Sequence, residues 1–407
     1  MKKRHRLTTI VWTIAIAAVA IGAVIQLAFN WRTVLDTKPP EFSPKNMLQA
    51  LWHQYKFDYL EPGTLRSLDK QRDNVTTSEG QSYSMMRAVW MDDKTTFDQA
   101  WQWTKDNIQR RGDFLIAWIF GEREDGTYGI LTDRGGYNTA SDADVDISVA
   151  LLFASKRWNE PTYYGDAIVL IRSIWEREVV EVLGRPYLAA NNVEKTLPKQ
   201  VIILNPSYFA PYAYKIFKEV DPSHDWLGVA ATSYEVAKAS MVSPLDKESS
   251  AHLPPDWVGI DRTTGELVAV PQPTSLTTNY SYDALRTAWR FALDWQWNGD
   301  PRAKDVLKEM SFLAEEWRKK GYIGSSYSHD GTELLRTESP AMYGGSLGYF
   351  MVEEPRLAAD VYSRTLERLY DPNMSKWREP LSYYDDNWAW FGVALYHGEL
   401  RNIYAEE

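Results

Sequence analysis

Glu79 stands in Thr-Ser-Glu-Gly-Gln-Ser-Tyr, with Gly80 beside it leaving room for a bound molecule and an apolar Met85-Met86 turn beyond. Apolar surroundings raise a carboxyl's pKa and keep a proton on it, which makes Glu79 the natural acid. Asp283, in Ser-Tyr-Asp-Ala-Leu-Arg, has Arg286 three residues on, near enough to hold its carboxyl ionised and favour a base. Splitting a glycosidic bond takes such a pair: one carboxyl protonates the leaving oxygen, and an ionised partner activates water or attacks the sugar. Asp142, Asp144 and Asp146 alternate as in a calcium loop, but Ile147 stands where that loop needs Gly and no Glu follows at the twelfth position. On a helix, alternate residues lie on different faces, so at most one or two of these acids look into a cleft. His5, His53, His224, His252, His329 and His397 show no paired metal spacing, and no metal or other cofactor is implied.

The elements that must position these acids are helices. Apolar residues at helical spacing, punctuated by Gly, Pro, Asn and Asp, predict about twelve segments and almost no strand. These begin near Ser43, Ser78, Thr96, Ser141, Tyr163, Ser207, Asp225, Ser281, Pro301, Pro340, Pro355 and Tyr384. From the third onward the odd segments carry charge on one face, as in AKDVLKEMSFLAEEWRKK, and belong outside. Even segments such as SDADVDISVALLFA and YGGSLGYFMV are apolar or small on most faces after a polar opening turn, and belong inside. Alternating inner and outer helices describe an all-α (α/α)6 barrel. Consecutive inner helices then bring their N-terminal turns to one rim, lined by Glu79, Asp142, Tyr208, Asp283 and Tyr384. Ser78, Ser141 and Ser281 read as ordinary N-caps of those turns.

The first residues are of another kind. Lys2-Lys-Arg-His-Arg6 precedes an uncharged stretch from Leu7 to Trp31, and roughly 20 apolar residues suffice to cross a bilayer. Poor cleavage candidates at Ala23 and Ala28 favour an uncleaved anchor over a signal peptide. The basic start stays inside, so the expected arrangement is a single-pass cell-membrane protein with its globular part extracytoplasmic. The expected parts are a basic tip and transmembrane helix over 1–35, a Pro-rich stalk over 36–44 and the barrel domain over 45–407. In the 407 residues, 45 Lys and Arg against 55 Asp and Glu give a net charge of −10, which disfavours nucleic acid as a partner. The absence of cysteine excludes disulfides and a thiol nucleophile. Eighteen Trp and 24 Tyr supply flat rings, most of them for the core and a handful for stacking on sugars.

At its motifs the chain resembles family 8 of the glycoside hydrolases, especially the endoglucanases that accompany bacterial cellulose synthases. Ala140-Ser-Asp-Ala-Asp-Val-Asp-Ile-Ser-Val-Ala-Leu-Leu-Phe-Ala-Ser-Lys-Arg-Trp158 is similar to the family signature, departing at Ser148 where Ala is usual. Thr77 to Tyr83 resembles the proton-donor motif, and Asn205-Pro-Ser-Tyr208, Pro255-Asp-Trp257 and Tyr282-Asp-Ala-Leu-Arg286 resemble further landmarks in the family's order. The resemblance implies an (α/α)6 barrel and inverting attack of water on a β-1,4 linkage, with Glu79 as acid and Asp283 as base. It gives Asp142 either as nucleophile or as the residue gripping the sugar at the cleavage point, and the second is preferred. It makes Trp118 and Tyr208 sugar-stacking residues, with Arg286 and Tyr384 also binding substrate. A base at Asp283 groups the chain with cellulases rather than with members, such as chitosanases, that carry the base elsewhere. The expected partners are a β-1,4-linked polysaccharide, the membrane, and the machinery of exopolysaccharide synthesis. Xylan, mixed-linkage glucan and chitosan stay open as substrates. A lyase or uronyl hydrolase on the same barrel would want a basic cleft, and a non-catalytic glycan-binding subunit would have no need of two poised carboxyls.

Overall fold

Every residue of the helix Ser78–Trp90 is buried except Glu79, and fourteen consecutive residues from Ser141 to Ala154 are buried on all sides. Helices of that kind need neighbours all round, and the chain supplies them as two concentric rings. The computed structural model describes residues 43–406. Its helices are α1 (Pro44–Tyr59), α2 (Ser78–Trp90), α3 (Lys94–Asn107), α4 (Ser141–Trp158), α5 (Pro161–Arg177), α6 (Pro211–Val220) and α7 (Trp226–Val242), then α8 (Leu285–Asn298), α9 (Pro301–Lys308), α10 (Ser311–Lys320), α11 (Pro340–Glu353), α12 (Pro355–Arg364) and α13 (Tyr383–Tyr396). Two four-residue helices lie in the connections at 193–196 and 366–369.

The inner ring runs α2, α4, α6, α8, α11, α13, each packed on the next. It closes through the buried ion pair of Arg87 on α2 with Asp386 on α13, at 3.1 Å. Outside them α3, α5, α7, α9 and α12 pack on their inner partners. Between α11 and α13 the backbones nearly touch: a Cβ on Gly344 would lie 1.9 Å from the Trp388 carbonyl oxygen, so only Gly permits that spacing. The predicted alternation of inner and outer helices is therefore present, with α9 and α10 dividing one expected outer helix at Glu309-Met310.

Three expectations need correction. Short antiparallel strands, missed in the sequence, fill the connections. β1 (Thr76–Thr77), β2 (Ile119–Glu122) and β3 (Tyr128–Ile130) form one sheet, β4 (Val179–Val182) and β5 (Arg185–Leu188) a second, and β6 (Val201–Leu204), β7 (Val258–Asp261) and β8 (Leu267–Val268) a third. Strands of two to four residues are too short to show a period of two. The serines are not the caps either. Thr77 caps α2 by accepting from Gly80 N, the Ser141 hydroxyl donates to the Ala189 carbonyl, and the Ser281 hydroxyl donates to Asp256. Finally, α6 and α8 begin at Pro211 and Leu285, so Tyr208 and Asp283 sit in turns just ahead of their helices.

No helix among the described residues is long and apolar enough to cross a membrane. The expected span over 1–35 and the stalk up to residue 42 lie outside the described residues, and Pro44, the last expected stalk residue, is the first of α1.

Candidate active site

A cleft of about 460 Å³ opens where the inner helices begin. It is lined by Ser78 and Glu79 of α2, Ala140 and Asp142 at the start of α4, Tyr208 ahead of α6, Tyr282 and Asp283 ahead of α8, and Tyr383 and Tyr384 of α13. The sheets bring in the remaining wall. β1 pairs with β2 in the register Thr77 to Ile119, so Ser78 N donates to Trp118 O at 3.0 Å and the Trp118 ring lies beside the acid turn. β6 pairs with β7 in the register Leu204 to Val258, which sets Asn205 and Trp257 against each other at the far side.

Arg286 is buried beneath the cleft and holds three carboxylates together. Its Nη1 donates to Glu79 and, at 3.0 Å, to Asp142, while Nη2 donates to Asp283. The Tyr208 ring lies 5.1 Å from the guanidinium. Of the three acids, Asp142 leaves only 2% of its side chain exposed, against 25% for Glu79 and 32% for Asp283. Two carboxyls thus open widely on the cleft, and Asp142 lines it with almost no exposed surface.

Burial raises all three pKa values, working against Arg286, which lowers them. Glu79 is raised further by the negative charge of Asp283, and Asp142, pushed up to about 7, by that of Glu79. Asp283 is raised by burial and then by Asp142, and lowered by Arg286 and by the side chains of Asn205 and Trp257. The expectation that Arg286 would hold the Asp283 carboxyl ionised is thereby corrected in part: the guanidinium is in place and lowers its pKa, but it serves three acids at once and burial outweighs it.

A model of the family Glycosyl hydrolases family 8 matches residues 40–360. The chain belongs to that family. It is similar to Endoglucanase 2 of Ruminiclostridium josui, 30% identical over 302 residues covering 72% of this chain and 59% of the relative. It is also similar to an endoglucanase of Pseudomonas fluorescens strain SBW25, 31% identical over 267 residues covering 64% and 63%. The chain thus spans about six-tenths of the length of these curated relatives. Among solved structures, an endo-1,4-D-glucanase from Vibrio fischeri ES114 superposes with a TM-score of 0.70 at 25% identity, covering 85% of this chain and 94% of that one.

The seven residues singled out in the sequence meet at one place in this family 8 chain. Glu79, Asp142, Asp283, Trp118, Tyr208 and Tyr384 line the cleft, and Arg286 lies directly under it. Trp118 is half-buried and its indole donates to the Gly135 carbonyl at 3.1 Å, and Tyr384 donates to the Tyr282 carbonyl at 2.6 Å. Of the alternate acids only Asp142 reaches the cleft, since Asp144 accepts from Ile116 N at 3.0 Å and Asp146 takes both oxygens to Arg290 at 2.8 Å.

Two details differ from expectation. Gly80 makes room for the chain itself, because a Cβ there would lie 2.1 Å from the Tyr383 hydroxyl. Met85 and Met86 do not line the cleft, and the apolar surroundings of Glu79 come instead from rings, among them Tyr383, Tyr384 and Trp118. Sequence reasoning gave no role to Tyr83, whose hydroxyl hydrogen-bonds Glu79 and accepts from the Trp388 indole at 3.2 Å. Its spacing of four residues from Glu79 is a helical-face signal that could have found it. Asp256 was also missed as a working residue. It accepts from the backbone N–H of Ser281 at 3.2 Å and of Ala284 at 2.8 Å, fixing the turn that carries Asp283.

Proposed function

We propose that this chain is an endo-acting hydrolase of β-1,4-linked glucan that works with inversion at the anomeric carbon. The observation that carries the reading is the division among the three carboxyls on Arg286: Glu79 and Asp283 open widely on the cleft, and Asp142 lines it almost fully buried. The raised pKa of Glu79 suits a general acid that protonates the leaving oxygen. Asp283 is the base that removes a proton from the attacking water, with Asn205, Trp257 and Arg286 favouring its ionised form. Protons balance over the step: one leaves Glu79 for the departing sugar and one passes from water to Asp283. Asp142, held at 3.0 Å by Arg286 and shielded from bulk water, grips the sugar at the cleavage point. Trp118 and Tyr208 stack on sugar rings, while Tyr384 and Arg286 complete the binding of substrate.

The β-1,4-glucan substrate follows from the endoglucanases among the relatives and from a cleft whose rings and carboxylates suit a neutral sugar chain. Residues 1–35 serve in this reading as a membrane anchor that keeps the hydrolase extracytoplasmic, beside the machinery exporting its polymer. Support for that part is the uncharged run Leu7 to Trp31 behind five polar or basic residues.

The test is release of reducing ends from carboxymethylcellulose, xylan and chitosan, with the anomeric configuration of the first product followed by NMR. Fresh α-anomer from the glucan supports the proposal; fresh β-anomer would make Asp142 a nucleophile, and no release from any of the three would overturn the hydrolase reading. Deletion of residues 1–35 is expected to leave soluble activity intact and to abolish membrane retention, and retention of the shortened chain would refute the anchor.

A further inference from the structure

Behind the cleft wall two more carboxyls face one another. Asp144, in the first turn of α4, and Glu178, at the end of α5, are both fully buried. Each has one oxygen satisfied: Asp144 Oδ1 accepts from Ile116 N at 3.0 Å, and Glu178 Oε1 accepts from the Thr139 hydroxyl. The other two oxygens, Asp144 Oδ2 and Glu178 Oε2, are buried with no hydrogen-bond donor, and the two carboxyl groups lie close enough to act on each other. Two ionised carboxylates are acceptors only, and facing each other away from water they repel, so only a proton lets them bond.

We propose that Asp144 and Glu178 share one proton, and that this carboxyl–carboxylate pair is the clamp that positions Trp118 and Asp142 in the cleft. Asp144 lies two residues after Asp142 on the same helical turn, and the N–H it receives belongs to Ile116, two residues before Trp118. Glu178 holds the Thr139 hydroxyl, which in turn accepts from Asn192 N at 3.0 Å, and Thr139 adjoins Ala140 in the cleft wall. One proton therefore ties the Trp118 segment, the start of α4 and the end of α5. Asp144 and Glu178 are positioning residues in this scheme, and neither lines the cleft.

The charges around the pair leave the proton in place. Arg111, from the segment after α3, is the cation that acts on both carboxyls, but its guanidinium is engaged at 2.9 and 2.7 Å by Asp113 and also by the Tyr137 carbonyl. Asp142, on α4, adds negative charge, and Arg177, next to Glu178 at the end of α5, acts on Asp113. Burial pushes Glu178 up to about 8 and Asp144 well above the usual carboxylate range. Groups raised in this way bind a proton in the folded state that the unfolded chain has lost. Their stabilisation is complete below the ordinary value of 4.5 and declines as pH rises to about 8.

The experiment compares the full chain with Glu178→Gln and Asp144→Asn. An amide donates where the protonated carboxyl did and does not titrate, so each variant keeps the bond at every pH. The melting temperature of the wild type is expected to fall between about pH 5 and pH 8, and that of either variant to fall measurably less, the remainder coming from Asp142 and Asp256. The effect on cleavage rests on the hydrolase reading: kcat/KM at about pH 8, relative to about pH 6, is expected to be roughly three-fold higher in the variants than in the wild type, because Trp118 and Asp142 hold the sugar. Wild-type pH dependence of melting in both variants, or failure of both to fold at low pH, overturns the shared proton. The predicted melting behaviour with no glucan cleavage in any of the three proteins would leave the proton pair standing and remove the hydrolase reading instead.

Discussion

The Nη1 of Arg286 lies 3.0 Å from Oδ2 of Asp142, and the same nitrogen donates to Glu79 while Nη2 is taken by Asp283. One cation thus faces three carboxyls. With all three ionised the group would carry two uncompensated negative charges beneath a ring-lined cleft, so the lowest-energy state keeps protons on some of them. Replacing Arg286 by Met removes the only positive member and strands the acids. The expected result is a loss of about 3–5 kcal/mol in stability, read by denaturant titration, together with loss of activity. Arg286→Lys is not a rescue, because an ammonium is a point charge and cannot present two nitrogens in a fork to opposite partners.

Glu79→Gln and Asp283→Asn should fail in different ways. Each is expected to lower kcat on glucan by roughly 10²–10⁴-fold with the fold intact by circular dichroism. Glu79 protonates the leaving oxygen, so an oligosaccharide whose aglycone departs as a stable anion has no need of it. That substrate restores much of the activity of Glu79→Gln and none of that of Asp283→Asn. Equal behaviour of the two variants with the activated substrate would refute the assignment of acid and base.

The pH profile follows from the same two groups. Activity needs Asp283 ionised and Glu79 protonated, so the acidic limb reports Asp283 and the alkaline limb Glu79. Both are raised by burial, which moves each limb of kcat/KM above the range of free carboxyls. Removing the Asp283 charge, as in Asp283→Asn, takes away a cause that raises Glu79 and is expected to lower the alkaline limb in the residual activity.

How far the sequence revealed this site depended on where each signal was written. Glu79, Asp142 and Tyr384 were legible because a polar turn ahead of an apolar helix marks both an inner helix and the rim it reaches. Asp283 was legible for the same reason, although the regular helix starts two residues later. What was not legible is long-range pairing. The contact of Asn205 with the Asp256-Trp257 segment depends on β6 and β7, two four-residue strands more than fifty positions apart, and no local period announces them. Gly80 was misread for a similar reason: the atom it accommodates belongs to Tyr383, at the other end of the chain.

Asp256 gives the sharpest test of that hidden connection. Its carboxylate accepts from Ser281 N, Ala284 N and the Ser281 hydroxyl, so it caps the turn on which Asp283 is mounted without lining the cleft itself. Burial and the nearby Asp283 charge push its pKa to about 7, above the ordinary carboxylate value. An Asn at 256 keeps one acceptor oxygen but turns an amide donor toward donors, which costs about 1–3 kcal/mol for the buried groups left unpaired. The base turn should then loosen while the stacking walls at Trp118 and Tyr208 stay in place. The expected signature is a lowered kcat with KM nearly unchanged, beside a lowered melting temperature. A variant that loses stability yet keeps wild-type kcat would show that Asp256 supports the fold and does not position the base.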